Sequence, residues 1–151
     1  MFIETREVIA LQRSEIARSR APETVTDEGC VDRSVAGAIT AAMYSDGDDA
    51  PDLINAVAHL VFYIAKNHCF TDGNKRAALM ALLHSLRVND LELEADQVEV
   101  AALINALANY PRANSGRIGL SGPGCVTPQL RLARVRRLSG LVGAGPSSAR
   151  A

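Results

Sequence analysis

The stretch NHCFTDGNKRAALMALL, residues 67–83, places a histidine, an aromatic ring, an acid, a glycine, an amide and two cations within nine residues, His68 to Arg76. An apolar helical pattern follows at once. A helix that starts near Gly73 or Asn74 presents backbone N–H groups that have no partner inside the helix and carry partial positive charge. Gly73 removes side-chain bulk, so an anion can approach that backbone closely. Lys75 and Arg76 add positive charge at the same end, where cations oppose the helix dipole unless an anion sits there. A phosphate is the natural occupant. Asp72, beside two cations, suits a Mg²⁺ ion arriving with nucleotide phosphates. His68 lies on the loop leading into the helix, and imidazole is the side chain that ordinarily exchanges a proton near neutral pH. Phe70 reads as a structural plug that fixes this loop on the core. Base, metal ligand and anion cradle together describe phosphoryl or nucleotidyl transfer, in which a protein mostly positions and neutralises.

Outward from this stretch the pattern is helical. TREVIALQRSEIARS has Val8, Leu11, Ile16 and Ala17 near helical spacing with a start at Thr5. APETVTDEGC breaks it with Pro22 and Gly29. VDRSVAGAITAAMYS reads as a second helix capped by Asp32, and DGDDAP as a turn. Asp52 starts LINAVAHLVFYIAKNH, apolar on nearly every side, as a buried central helix should be. A further helix runs from Asn74 to about Val88. Leu91 and Leu93 alternate with acids as a short extended piece, and QVEVAALINALANY closes the helical text. The expectation is an all-α domain of roughly five helices over residues 1–110. His59 and His84 fall on apolar helix faces and read as buried, hydrogen-bonded side chains rather than metal ligands.

Residues 111–151 differ in character. They hold seven of the eleven glycines and no acid, and PQLRLARVRRLSGLV reads as a short basic amphipathic helix in an otherwise flexible tail. Nine cations face seventeen acids up to Glu99, a net of −8, whereas residues 112–151 carry +7. The tail composition fits a shifted reading frame in a GC-rich gene, or a basic arm that binds nucleic acid. Cys30, Cys69 and Cys125 form an odd set without metal-type spacing, which suits a reducing cytosol better than a disulfide framework. The longest apolar run is too short to span a bilayer, and the charged start does not read as a signal peptide. A soluble, cytoplasmic protein with no membrane partner is expected.

HCFTDGNKR resembles the Fic/Doc signature His-x-Phe-x-Asp/Glu-Gly-Asn-x-Arg, and Lys75 resembles the Doc (death on curing) branch. VIALQ, TDEGCVDRSVAGAI and DLINAVAHLVFYIAKNH are similar to Doc-like toxins as well, so the resemblance covers roughly residues 3–110. It implies a compact helical Fic fold, with ATP and Mg²⁺ as cofactors. His68 would be the general base and Asp72 the acid on the Mg²⁺ side, while Gly73, Asn74, Lys75 and Arg76 would form the phosphate-binding turn and Phe70 would be structural. AMP-transferring members usually carry Gly where Lys75 stands and a second Arg where Leu79 stands. Their absence implies the Doc-like outcome, transfer of the γ-phosphate to a hydroxyl of elongation factor Tu or another translation protein. The implied antagonist is a Phd-like antitoxin. Two departures, Cys69 for a common proline and Ala77 for a frequent threonine, remove no catalytic group.

Three alternatives stand beside this reading. They are AMP transfer by the same site, a catalytically silent antitoxin-binding protein, and nucleic-acid binding through the basic tail. TVTDEG, residues 24–29, also fits the form of an inhibitory helix in some Fic proteins. With Leu79 in place of the second arginine its glutamate would lack a partner, so DEGC reads as the loop before the second helix.

Overall fold

The computed structural model of the chain describes residues 1–22, 26–43, 53–109 and 134–138. Its elements are α1 (Thr5–Ser19), α2 (Glu28–Met43), α3 (Leu53–Asn67), α4 (Asn74–Arg87), β1 (Leu91–Glu94), α5 (Gln97–Asn109) and β2 (Arg134–Arg137). The fold is therefore mostly helical, with one small antiparallel two-stranded sheet. The DGDDAP turn, the helix start at Asp52 and most of the tail lie outside the described residues.

Helix α3 is the axis of the molecule. Ten of its fifteen residues are buried, and it packs against α2, α4 and α5. Such all-round burial is what its unbroken apolar text demands. Leu60, Val61 and Ile64 meet Leu82 and Leu86 of α4, Val31 of α2 and Leu107 of α5 in one continuous core. Helices α2 and α3 approach closely because Gly37 has no side chain. A Cβ there would meet the Tyr63 ring at 3.2 Å. Helix α1 closes the other side against α4 and α2, and contributes Val8 and Ile9 to the core.

The helix starts correct one expectation. Helix α2 begins at Glu28, three residues before the predicted run, and the Asp27 carboxylate accepts the Cys30 N–H at 2.9 Å as an N-cap should. Asp32 is inside the helix and accepts a hydrogen bond from Thr5 Oγ1 at 2.9 Å instead. Asp27, not Asp32, caps it because only Asp27 precedes the unsatisfied N–H groups of the first turn.

A second correction concerns the tail. Residues 134–137 form a strand rather than the predicted basic helix, and pair with β1 in the register Leu91↔Arg137, Glu92↔Arg136, Leu93↔Val135 and Glu94↔Arg134. Arg136 ion-pairs with Glu92 and, at 3.2 Å, with Glu94. Leu91, Leu93 and Val135 pack on the core from the same sheet. An acidic edge and a period-2 match of apolar positions thus override the helical reading.

Candidate functional site

Residues 68–73 bridge the two most buried helices, and the chain folds back sharply to do so. His68 takes a left-handed backbone conformation, φ +52°, immediately after the last residue of α3. That conformation is uncommon for a residue with a side chain and persists where neighbours hold it. The neighbours are identifiable. The Asp27 N–H donates to the Cys69 carbonyl at 2.8 Å, and Thr26 forms an antiparallel bridge with Phe70. The Asn74 side chain then clasps Phe70 on both sides: Oδ1 accepts the Phe70 N–H at 3.0 Å, and Nδ2 donates to the Phe70 carbonyl at 2.7 Å. Phe70 itself is 1% exposed and anchors the loop in the core.

Beyond this anchor the chemistry-bearing groups face outward. His68 and Asp72 are exposed. Asp72 Oδ1 accepts the Gly73 N–H at 2.7 Å. Gly73 is the N-cap of α4 with φ +78°, a region where glycine alone is at ease. No side chain caps this helix and its first turn holds no acid. The first intrahelical bond, from Ala77 N–H to the Gly73 carbonyl, leaves the preceding N–H groups directed out of the helix end. An N-terminus that is left uncapped, carries two cations and starts on a glycine fits an anion.

The two cations differ. Lys75 Nζ donates to Asn105 Oδ1 of α5 at 2.8 Å. Arg76 is exposed and enters no ion pair among the described residues. The side chains nearest a Cβ placed on Gly73 are Ile16, at 3.9 Å, and Gln12, at 4.0 Å. Both also line a cleft of about 390 Å³ formed with Arg13, Ala17, Ala21, Thr26 and Glu28. Ile16 and Gln12 thus stand between the helix end and this cleft, which no residue of the 68–76 motif lines.

No cluster of three or more metal-ligating side chains exists among the described residues. Asp72 would have to hold Mg²⁺ with phosphate oxygens and water as the other ligands, the usual manner for that ion. His59 is 1% exposed, and its Nδ1–H donates to the Asn55 carbonyl at 2.9 Å. Burial pushes its pKa down and the carbonyl partly opposes this. His84 is not buried as expected: it is half-exposed and faces Glu7 of α1 at 3.7 Å. Glu28, the acid of the inhibitory-helix pattern, is exposed in the first turn of α2 and faces Arg13 at 4.0 Å. Leu79 packs on the core.

Three residues near the site escaped the sequence reading. Gln12 is a polar side chain on the buried stripe of α1, one helical turn after Val8, and is 2% exposed; that interruption of an apolar stripe was its signal. Asn105 carries no comparable mark. Cys30 is disulfide-bonded to Cys69, with Cα atoms 5.3 Å apart, against the expectation of unpaired thiols. The odd cysteine count hid a pair that the α2–loop contact brings together.

No curated protein matches the sequence. A family model, Fic/DOC family, matches residues 2–86, which is more than half of the chain. The match takes in α1 to α3, α4 up to Leu86 and the whole of the 68–76 motif, and stops short of α5 and the sheet. By that match, and with the helical fold that carries it, the chain belongs to the Fic/DOC family.

Proposed function

We propose that the chain is a Doc-like toxin that transfers the γ-phosphate of ATP to a hydroxyl of a translation protein, elongation factor Tu being the first candidate. Membership of the family supports a protein-modifying transferase in general. The observation that carries the finer reading is the uncapped, glycine-started N-terminus of α4, flanked by Lys75, Arg76, Asp72 and the exposed His68. Mg²⁺–ATP bound there would supply the transferable phosphoryl group and its charge neutralisation.

The chain's own residues would do the rest. The N–H groups of the first turn of α4, with Lys75 and Arg76, hold the phosphate oxygens and stabilise the charge that develops on them. Asp72 takes the metal side of the phosphates. His68 removes the proton from the acceptor hydroxyl as its oxygen attacks the γ-phosphorus and the bond to the departing ADP breaks. The Asn74 clasp on Phe70 keeps the base and the cradle in fixed relation. Leu79, packed on the core, leaves no second arginine to orient the triphosphate for attack at the α-phosphate, which favours movement of the terminal phosphate. A Phd-like antitoxin would be the partner that silences the chain.

Inducible expression in bacteria tests the reading. Arrest of protein synthesis by the wild-type chain, relieved by His68→Ala with the protein still folded, is the expected result. Equal arrest by both would remove His68 from the chemistry and with it this function.

A further inference from the structure

The loop that carries His68 is tied to the start of α2 by one covalent bond and several weaker ones. Cys69 directly follows His68, and its partner Cys30 lies in the first turn of α2, 39 residues earlier. Around this bond Asp27 N–H reaches the Cys69 carbonyl, Thr26 bridges Phe70, and Asn67 Nδ2 donates to Ser34 Oγ at 3.2 Å. Ser34 Oγ also lies 3.7 Å from Cys69 Sγ. These polar contacts tie the start of α2 to the motif loop alongside the covalent bond. Adjacency to a residue with positive φ makes this pair more than a staple: whatever loosens Cys69 loosens the backbone conformation of His68.

We propose that Cys30 and Cys69 form a reversible oxidative modification site whose reagent is a low-molecular-weight disulfide of the glutathione class, and that its state sets how firmly the motif loop is held. Cys30, 8% exposed against 2% for Cys69, is the first to react. Its thiolate attacks one sulfur of the reagent, forming a mixed disulfide and releasing one glutathione thiolate. The Cys69 thiolate then displaces the second glutathione thiolate from Cys30. In sum, two protein thiols become one protein disulfide, and one reagent disulfide becomes two thiols, with two electrons passing to the reagent. An excess of small thiol reverses both steps. Bonding closes a long loop and restricts the chain on both sides of His68.

The test treats the native chain with oxidised glutathione or with dithiothreitol and maps the thiols by alkylation and peptide mass, which separates Cys125 from the pair. Oxidised glutathione is expected to protect Cys30 and Cys69 together, joined in one peptide pair, and dithiothreitol to free both without denaturant. Reduction is expected to lower the melting temperature by on the order of 10 °C. The amides of residues 69–74 are expected to exchange roughly tenfold faster once the bond is gone. Cys30→Ala should abolish the redox dependence of that exchange; if it fails to fold, the reduced wild-type chain supplies the same comparison. Full alkylation of both cysteines in oxidised glutathione, a bond that yields only after unfolding, or equal exchange in the two states would each overturn the proposal. None of these readouts involves phosphate transfer, so they stand or fall apart from the proposed function.

Discussion

The ammonium of Lys75 sits 2.8 Å from Oδ1 of Asn105, so one cation of the proposed anion cradle is anchored on α5, outside the stretch that matches the family. The amide leaves the ammonium's other two protons for an anion while fixing where it stands. Replacing Asn105 by Ala should weaken nucleotide binding about fivefold, close to the 1 kcal/mol that one exposed hydrogen bond to a charged group contributes. The melting temperature should barely move, because both side chains are exposed. Titration calorimetry with ATP checks this, and Asn105→Asp, which would pair with Lys75 and set a negative charge beside the phosphates, should weaken binding further.

Asn74 acts chiefly as the clasp of the loop. Asn74→Ala removes both hydrogen bonds to the Phe70 backbone, leaving a part-buried N–H and carbonyl unsatisfied. A loss of about 2 kcal/mol is expected, seen as a lower denaturation midpoint. Asn74→Asp retains the acceptor for the Phe70 N–H but not the donor, and should fall between the two.

His59 makes stability depend on pH in a definite direction. Burial holds its folded-state pKa below the ordinary value of 6.5. As pH falls through that value the unfolded chain takes up the proton before the folded one does. The stability present above it is therefore lost progressively below it. Urea unfolding at pH about 7.5 and about 5.5 should show a lower midpoint at the acidic value. His59→Gln should flatten that difference.

The sheet joins acids of β1 to a cation of the tail. Arg136→Glu would set a third carboxylate beside Glu92 and Glu94, and should cost about 1 kcal/mol of stability. Denaturant unfolding at low and high salt checks it, since added salt should narrow the gap.

Much of this architecture is written in local text. The unbroken apolar run of α3 and the polar-to-apolar change at Asn74 announce both helices and the loop between them. The order of residues in the motif is enough to put His68, Asp72 and Gly73 on that loop. What stays hidden is non-local. Cys30 and Cys69 are 39 residues apart and meet only because α2 docks on the motif loop. The Leu–Arg alternation near residue 134 suits helix or strand until the acids of β1 choose for it. Asp27 and Asp32 are equally good caps by composition, and tertiary contact with Thr5 claims the second. Asn105 is one amide among several on α5, and only the reach of Lys75 singles it out.

The most direct test incubates the purified chain with Mg²⁺, elongation factor Tu and ATP labelled at either the α or the γ position, with His68→Ala alongside. The account predicts label on the acceptor from the γ position alone, reduced on the order of a hundredfold or more in the variant. Label from the α position, or undiminished transfer by His68→Ala, would contradict it.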